Sequence, residues 1–247
     1  MARIYLPTVQ IKENRISITG EKARYLAAVL RCRKGDELII FNGTAHCLRT
    51  MITGTDKKEV AAEVLEEFPC DTESHAHIIL VQALLKGEKM DFVVQKATEL
   101  GIKEIIPAIT ERSQLRETRK GSRWRKIAEE AARQSGRSSI PDILEPVSLE
   151  ELFTGHCRHG TDSALRGFIF HEEGGINIKD AYARTSLSGD SRLFVFIGPE
   201  GGFTKNEVRL ARDNGFIVTS LGRRILRAET AAISAVALIQ FLSGDFG

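Results

Sequence analysis

The sequence predicts an α/β domain preceded by a small β-barrel, and three observations carry that prediction. The first seventy or so residues hold short β-type runs broken by turn residues. From Ala76 onward, continuous apolar runs alternate with helical patterns, as expected of a mostly parallel sheet with covered faces. Between the two lies Pro69-Cys-Asp-Thr-Glu-Ser74, with the composition of a linker. We therefore expect two domains, residues 1–72 and 73–247.

In the first part, Arg3–Leu6 and Arg15–Thr19 are β candidates, and Glu21–Leu30 is a short helix with Ala23, Leu26, Ala27 and Leu30 at helical spacing. Glu37–Phe41 runs into Asn42-Gly43 and then Thr44–Ile52, which predicts a hairpin. Val60–Leu65 adds a strand, and a small barrel is the natural closure for such a set.

In the second part, Ile78–Leu85 reads as a buried strand, Asp91–Leu100 as a helix ended by Gly101, and Ile102–Ile109 as the next strand. This βαβ unit implies a parallel pair with a crossover. Ser122–Gln134 is helical, and Ser148 with Glu151 opens a short helix through a capping box. Gly167–His171, Leu193–Ile197 and Phe216–Leu221 are apolar strands, with Thr204–Asn214 a helix opened by a second capping box, Thr204 with Glu207. The last helix, Glu229–Leu242, is apolar on nearly every side, so it either threads the core or packs on a second subunit.

Composition narrows the classes. The chain has 247 residues, 28% charged and 42% hydrophobic, with net charge +2, as in ordinary soluble proteins. No apolar run reaches membrane-spanning length and the N-terminus lacks a signal-peptide pattern, which predicts a cytoplasmic protein. Cys32, Cys47, Cys70 and Cys157 are scattered without a CxxC pair and read as reduced thiols. His156, Cys157 and His159 lack a second ligand pair at zinc spacing, so no metal is expected. Neither a Walker motif, a G-x-G-x-x-G turn nor a G-x-S-x-G elbow is present, which disfavours ATP-using, dinucleotide-dependent and serine-nucleophile enzymes.

Two segments carry chemistry. Phe194–Phe203 is a buried strand emptying into Gly-Pro-Glu-Gly-Gly, and Ser220–Thr230 is a strand end followed by a glycine, a basic loop and the apolar helix. Ligands of open α/β sheets sit beyond the carboxyl ends of strands, where glycines admit them close to the backbone. A third feature is basic: Arg112 to Arg137 holds nine Lys or Arg residues against Glu117, Glu129 and Glu130, a surface suited to phosphates or a solvated helix face.

The segments IGPEGGFT (Ile197–Thr204) and LGRRILRAETA (Leu221–Ala231) resemble the signature of the ribosomal RNA small subunit methyltransferase E family, within the SPOUT or trefoil-knot RNA methyltransferases. The resemblance extends through QKATELG at Gln95, ERS at Glu111, RWRKIAEEAARQSGR at Arg123 and VLRCRKGDEL at Val29, and so covers nearly the whole chain. Tyr25 departs from it, at a position where many relatives carry histidine.

The resemblance implies a PUA-like RNA-binding barrel, a SPOUT domain with a deep trefoil knot, a homodimer, and S-adenosylmethionine as methyl donor. The implied reaction is methylation of N3 of one uridine in 16S ribosomal RNA of the small subunit. Ile197, Gly198, Gly201, Gly202, Leu221, Gly222, Ile225, Leu226 and Thr230 are the expected donor contacts, with Phe170 and His171 from a neighbouring strand end. Arg227 is expected to stabilise charge on the uracil, and Glu200, ahead of Glu229, to take its proton. Arg31, Arg112, Arg116, Arg119, Arg123 and Arg137 are the expected RNA contacts, and Trp124 a packing residue. The alternatives are another RNA or 2′-O-ribose specificity on the same scaffold, and a non-catalytic ribosome assembly factor, which has no need of a donor pocket.

Overall fold

The computed structural model describes residues 1–56, 58–116, 118–155, 167–185 and 192–246. Its contacts divide the chain into two units. The first is Met1–Glu73 with Ala132–Ile140, and the second is Ser74–Ala131 with Pro141–Gly247. The division differs from a single cut after residue 72, because a stretch of nine residues from the middle of the chain returns to the first unit. Glu73 shows how. Its carboxylate accepts from Arg137 Nη2 at 2.7 Å, Ser138 N at 3.0 Å, Ser139 N at 3.0 Å and Ser139 Oγ at 2.7 Å.

The first unit comprises β1 (Ala2–Tyr5), β2 (Ile11–Lys12), β3 (Arg15–Thr19), α1 (Gly20–Arg24), β4 (Glu37–Phe41), β5 (His46–Thr55) and β6 (Glu59–Pro69). They form one six-stranded sheet in the order β1-β4-β5-β6-β3-β2, with β1 and β4 parallel and the other pairs antiparallel. Ile16, Ile18, Leu38, Ile40, Ile52 and Val60 fill its core, following the period of two along each strand. The helix predicted to Leu30 stays α-helical only to Arg24 and continues as a π turn, Tyr25–Val29. The Asn42-Gly43 turn is wider than a two-residue hairpin. Asn42 Oδ1 accepts from Thr44 N at 3.1 Å and Thr44 Oγ1 at 2.7 Å, so the strand resumes at His46. Cys47 and Cys70 are paired as a disulfide, with Cα atoms 5.8 Å apart, which overturns the reading of both as free thiols. Cys157 lies outside the described residues, as do His156 and His159.

The second unit holds β7 (His77–Ala83), α2 (Lys89–Glu99), β8 (Glu104–Ile109), most of α3 (Gly121–Ser135), β9 (Asp142–Ile143), β10 (Val147–Ser148), α4 (Leu149–Thr154), β11 (Gly167–Phe170), β12 (Ile176–Asn177), α5 (Ile178–Ala183), β13 (Arg192–Ile197), α6 (Lys205–Asp213), β14 (Ile217–Ser220) and α7 (Ala228–Leu242). The sheet order is β10-β8-β7-β13-β11-β14-β12, with β9 also on β8, and every described pair is parallel. One face is a dry core of Val81, Ile106, Ile169, Phe194, Phe196 and Val218 under Phe153, Val208 and Phe216. Helices α2 and α7 pack together, and α7 lies against β7 and β13.

Both predicted capping boxes are present, at Ser148 with Glu151 and at Thr204 with Glu207. Helix α7 is less enclosed than its composition suggests. Ala232, Ala235, Val236 and Ile239 are buried, but Leu238 and Phe241 remain 40% and 63% exposed. Its one fully buried polar side chain, Gln240, is tied to Ser74 Oγ at 2.8 Å and to the Leu100 carbonyl at 2.6 Å. That fixes the helix C-terminus beside the start of β7, so its N-terminus lies toward the carboxyl ends of the strands.

Candidate active site

The carboxyl ends of β11, β13 and β14 are neighbours and point the same way, and the loops that leave them enclose a cavity of about 700 Å³. From β11 it takes Phe170, His171 and Glu172; from β13, Ile197, Gly198, Glu200, Gly201 and Gly202; from β14, Leu221, Gly222, Ile225, Leu226 and Arg227. Gly222 has φ +105° and open space where a Cβ would stand, so a side chain there would be strained by its backbone and not by a neighbour. Gly202, at φ +67°, is tight as well as strained, since a Cβ would stand 3.1 Å from a Glu172 oxygen. Thr230 and Glu229 do not line the cavity, although Ala228 and Ala231 on either side of them do.

Two cations brace the β13 loop. Lys89 Nζ, at the start of α2, meets Glu200 Oε1 at 2.8 Å. Arg112 Nη1 donates to the Gly201 carbonyl at 2.7 Å, with its stem against that glycine. Behind them, Glu207 accepts from the Glu111 and Thr204 backbone N–H groups at 2.8 Å and 2.7 Å. Burial pushes the Glu200 carboxyl up, but the Lys89 hydrogen bond and charge, with backbone N–H donors, outweigh it and hold the group below the usual glutamate range. Glu200 is therefore held as a carboxylate in the β13 loop. Glu229 differs: its Oε2 is buried with no hydrogen-bond partner among the described residues. So is Oε1 of Gln82, a fully buried residue at the end of β7 whose amide nitrogen donates to the Ala83 carbonyl at 3.0 Å.

The basic segment separates into different tasks. Arg116 and Arg119 are exposed, Arg116 donating to the Glu111 carbonyl at 3.1 Å. Arg112 is tied to the loop as described. Arg123 pairs with Asp91 at 2.7 Å while keeping 59% of its side chain exposed. Asp91 also accepts from Trp124 Nε1 at 3.0 Å, and Trp124 is buried in packing. Arg137 is 2% exposed with its guanidinium held by Glu73, so it cannot reach phosphate, a correction to the predicted set. Arg31, in the first unit, is exposed and adopts φ 54°, a conformation uncommon outside glycine and asparagine.

Lys89, Glu172 and Arg224 also line the cavity and were not singled out from sequence. Glu172 follows His171 at a strand end and so carried a positional signal. Lys89 carried none, because its partner is 111 residues away.

Comparison with known proteins agrees with the motifs. A family model described as an RNA methyltransferase domain matches residues 72–240, and one described as an RNA methyltransferase PUA domain matches residues 18–65. The ribosomal RNA small subunit methyltransferase E of Buchnera aphidicola subsp. Acyrthosiphon pisum is 33% identical, over 93% of this chain and 88% of the relative. That of Bacillus subtilis is 32% identical over 98% of each. The chain belongs to the ribosomal RNA small subunit methyltransferase E family. A crystal structure of the family member from Neisseria gonorrhoeae bound to S-adenosyl methionine covers 100% of both chains at 32% identity, with a TM-score of 0.88. A methyltransferase from Legionella pneumophila in complex with bound SAM covers 97% of both at 33% identity, with a TM-score of 0.86. Family membership gives the cavity a context: the motifs shared with the family are the loops that wall it.

Proposed function

We propose that this protein methylates N3 of a uridine in 16S ribosomal RNA of the small subunit, using S-adenosylmethionine, and that it works in the cytoplasm as a homodimer. The observation that carries the reading is the cavity at the ends of β11, β13 and β14, walled by the family's two signature loops. Its volume suits a nucleoside-sized ligand. The backbone threading that goes with this reading is the family's trefoil knot.

The donor supplies a methyl group on a positively charged sulfur, already reactive toward a nucleophile. The protein's work is on the uridine, whose N3 is protonated at neutral pH. A methyl–N3 bond forms as the sulfur–methyl bond breaks, S-adenosylhomocysteine leaves, and the N3 proton passes to a base. Arg227 lines the cavity, is exposed and makes no ion pair among the described residues, so its charge is available to the uracil oxygens. Of the predicted pair only Glu200 lines the cavity, held there by Lys89, and it is the carboxylate placed to accept the proton.

Arg116, Arg119 and Arg31 are the RNA phosphate contacts in this reading, with Arg123 able to serve from its Asp91 pair. The experiment is incubation with labelled donor and undermethylated small subunits, followed by mapping of the modified nucleoside. A methyl on uridine N3 is expected. A methyl on the ribose, or none, overturns the assignment.

A further inference from the structure

We infer that Glu172 anchors the α-ammonium group at the methionine end of the donor, an inference that rests on reading the cavity as the donor site. Glu172 lies at the end of β11 and lines the cavity. A Cβ built on Gly202 would stand 3.1 Å and 3.2 Å from its two oxygens, so the carboxylate is seated directly over the β13 loop. The other carboxylate of the wall, Glu200, has its own cation in Lys89 at 2.8 Å. Glu172 has no such partner among the described residues. The nearest is His171 Nε2 at 4.0 Å, beyond hydrogen-bond reach, while His171 Nδ1 is engaged by Glu173.

The cavity thus presents one uncompensated carboxylate, and a carboxylate only accepts hydrogen bonds. The donor carries two positive centres. Its sulfonium has no N–H to donate, whereas its ammonium has three and forms the stronger, charge-assisted bond. Arg224 lines the same cavity from the β14 loop and carries the opposite charge. In this reading each charge of an α-amino acid zwitterion has a wall residue of opposite sign.

The test is titration calorimetry of the native protein and Glu172→Gln with three ligands. S-adenosylmethionine and S-adenosylhomocysteine both carry the ammonium, and 5′-methylthioadenosine keeps the adenosine but lacks the amino acid. The variant should bind the first two about tenfold more weakly, the usual size for one charge-assisted contact, and the third as the native protein does. Unchanged affinity for S-adenosylmethionine overturns the inference. A parallel loss for methylthioadenosine overturns it too, by placing Glu172 on the ribose or in the fold. Loss for S-adenosylmethionine alone overturns it in favour of the sulfonium. Native protein that binds none of the three would instead sink the donor-site reading itself.

Discussion

At the scale of single residues, the structure sorts arginines that look alike in sequence. Arg137→Ala should destabilise the first unit by about 2 kcal/mol, because it removes the charge partner of a largely buried Glu73 carboxylate that keeps its donors at Ser138 and Ser139. Chemical denaturation measures this. RNA binding by refolded protein should keep its salt dependence. Arg116→Ala should do the reverse: native stability, and a salt slope flatter by about one unit. If both variants flatten the slope equally, the division between them is wrong. Arg227→Ala should bind donor nearly normally and lose turnover by about two to three orders of magnitude, read from single-turnover rates. Glu200 gives a pH prediction. Its proton affinity is lowered in the folded protein, so its contribution to the β13 loop is full above the ordinary glutamate range and disappears as pH falls through the lower, folded value. Donor affinity should fall in that acid window, and Lys89→Met should remove that step. The walls of this site were legible because glycines and apolar residues at strand ends advertise close approach. The Lys89–Glu200 and Arg137–Glu73 pairs were not, since the fold alone brings them together.

At the scale of elements, legibility followed the length and strength of local signals. The helices with capping boxes and the long buried strands stand where periodicity put them, to within a residue or two. The two-residue strands β2, β9, β10 and β12 left no pattern to read, because two residues hold no period. The π turn after α1 was also invisible, as its apolar spacing mimics a helix. Gly101 joins local and long-range demands. It has the positive φ of a helix terminator, 84°, and a Cβ there would stand 3.0 Å from Gln240 Nε2 and 3.2 Å from Ser74 Cβ. Gly101→Ala should therefore cost more than backbone strain alone, about 2 kcal/mol or more in thermal or denaturant unfolding. A loss under 0.5 kcal/mol would show that Gln240 and Ser74 move aside freely.

At the scale of the whole molecule, α7 poses the remaining question of what covers its outer side. The sequence left two answers, threading through the core and contact with a second subunit, because an apolar perimeter is the same in both. The structure buries one side of the helix and leaves Leu238 and Phe241 open, with Phe92 of the adjoining α2 at 45% exposure. Half-exposed side chains of this size offer roughly 100 Å² each, so the three together give about 300 Å². A stable interface needs about 800 Å² from each partner. A dimer contact through α7 would therefore have to extend beyond these side chains to polar residues around them. A two-fold contact uses the same patch from both subunits, so one substitution counts twice. Light scattering should find the native protein dimeric at micromolar concentration and Phe241→Asp monomeric. Because Phe241 is mostly solvated within one chain, the variant should keep the native circular dichroism, which separates lost association from lost folding. A native protein that scatters as a monomer, or a Phe241→Asp variant that stays dimeric, would remove α7 from the interface.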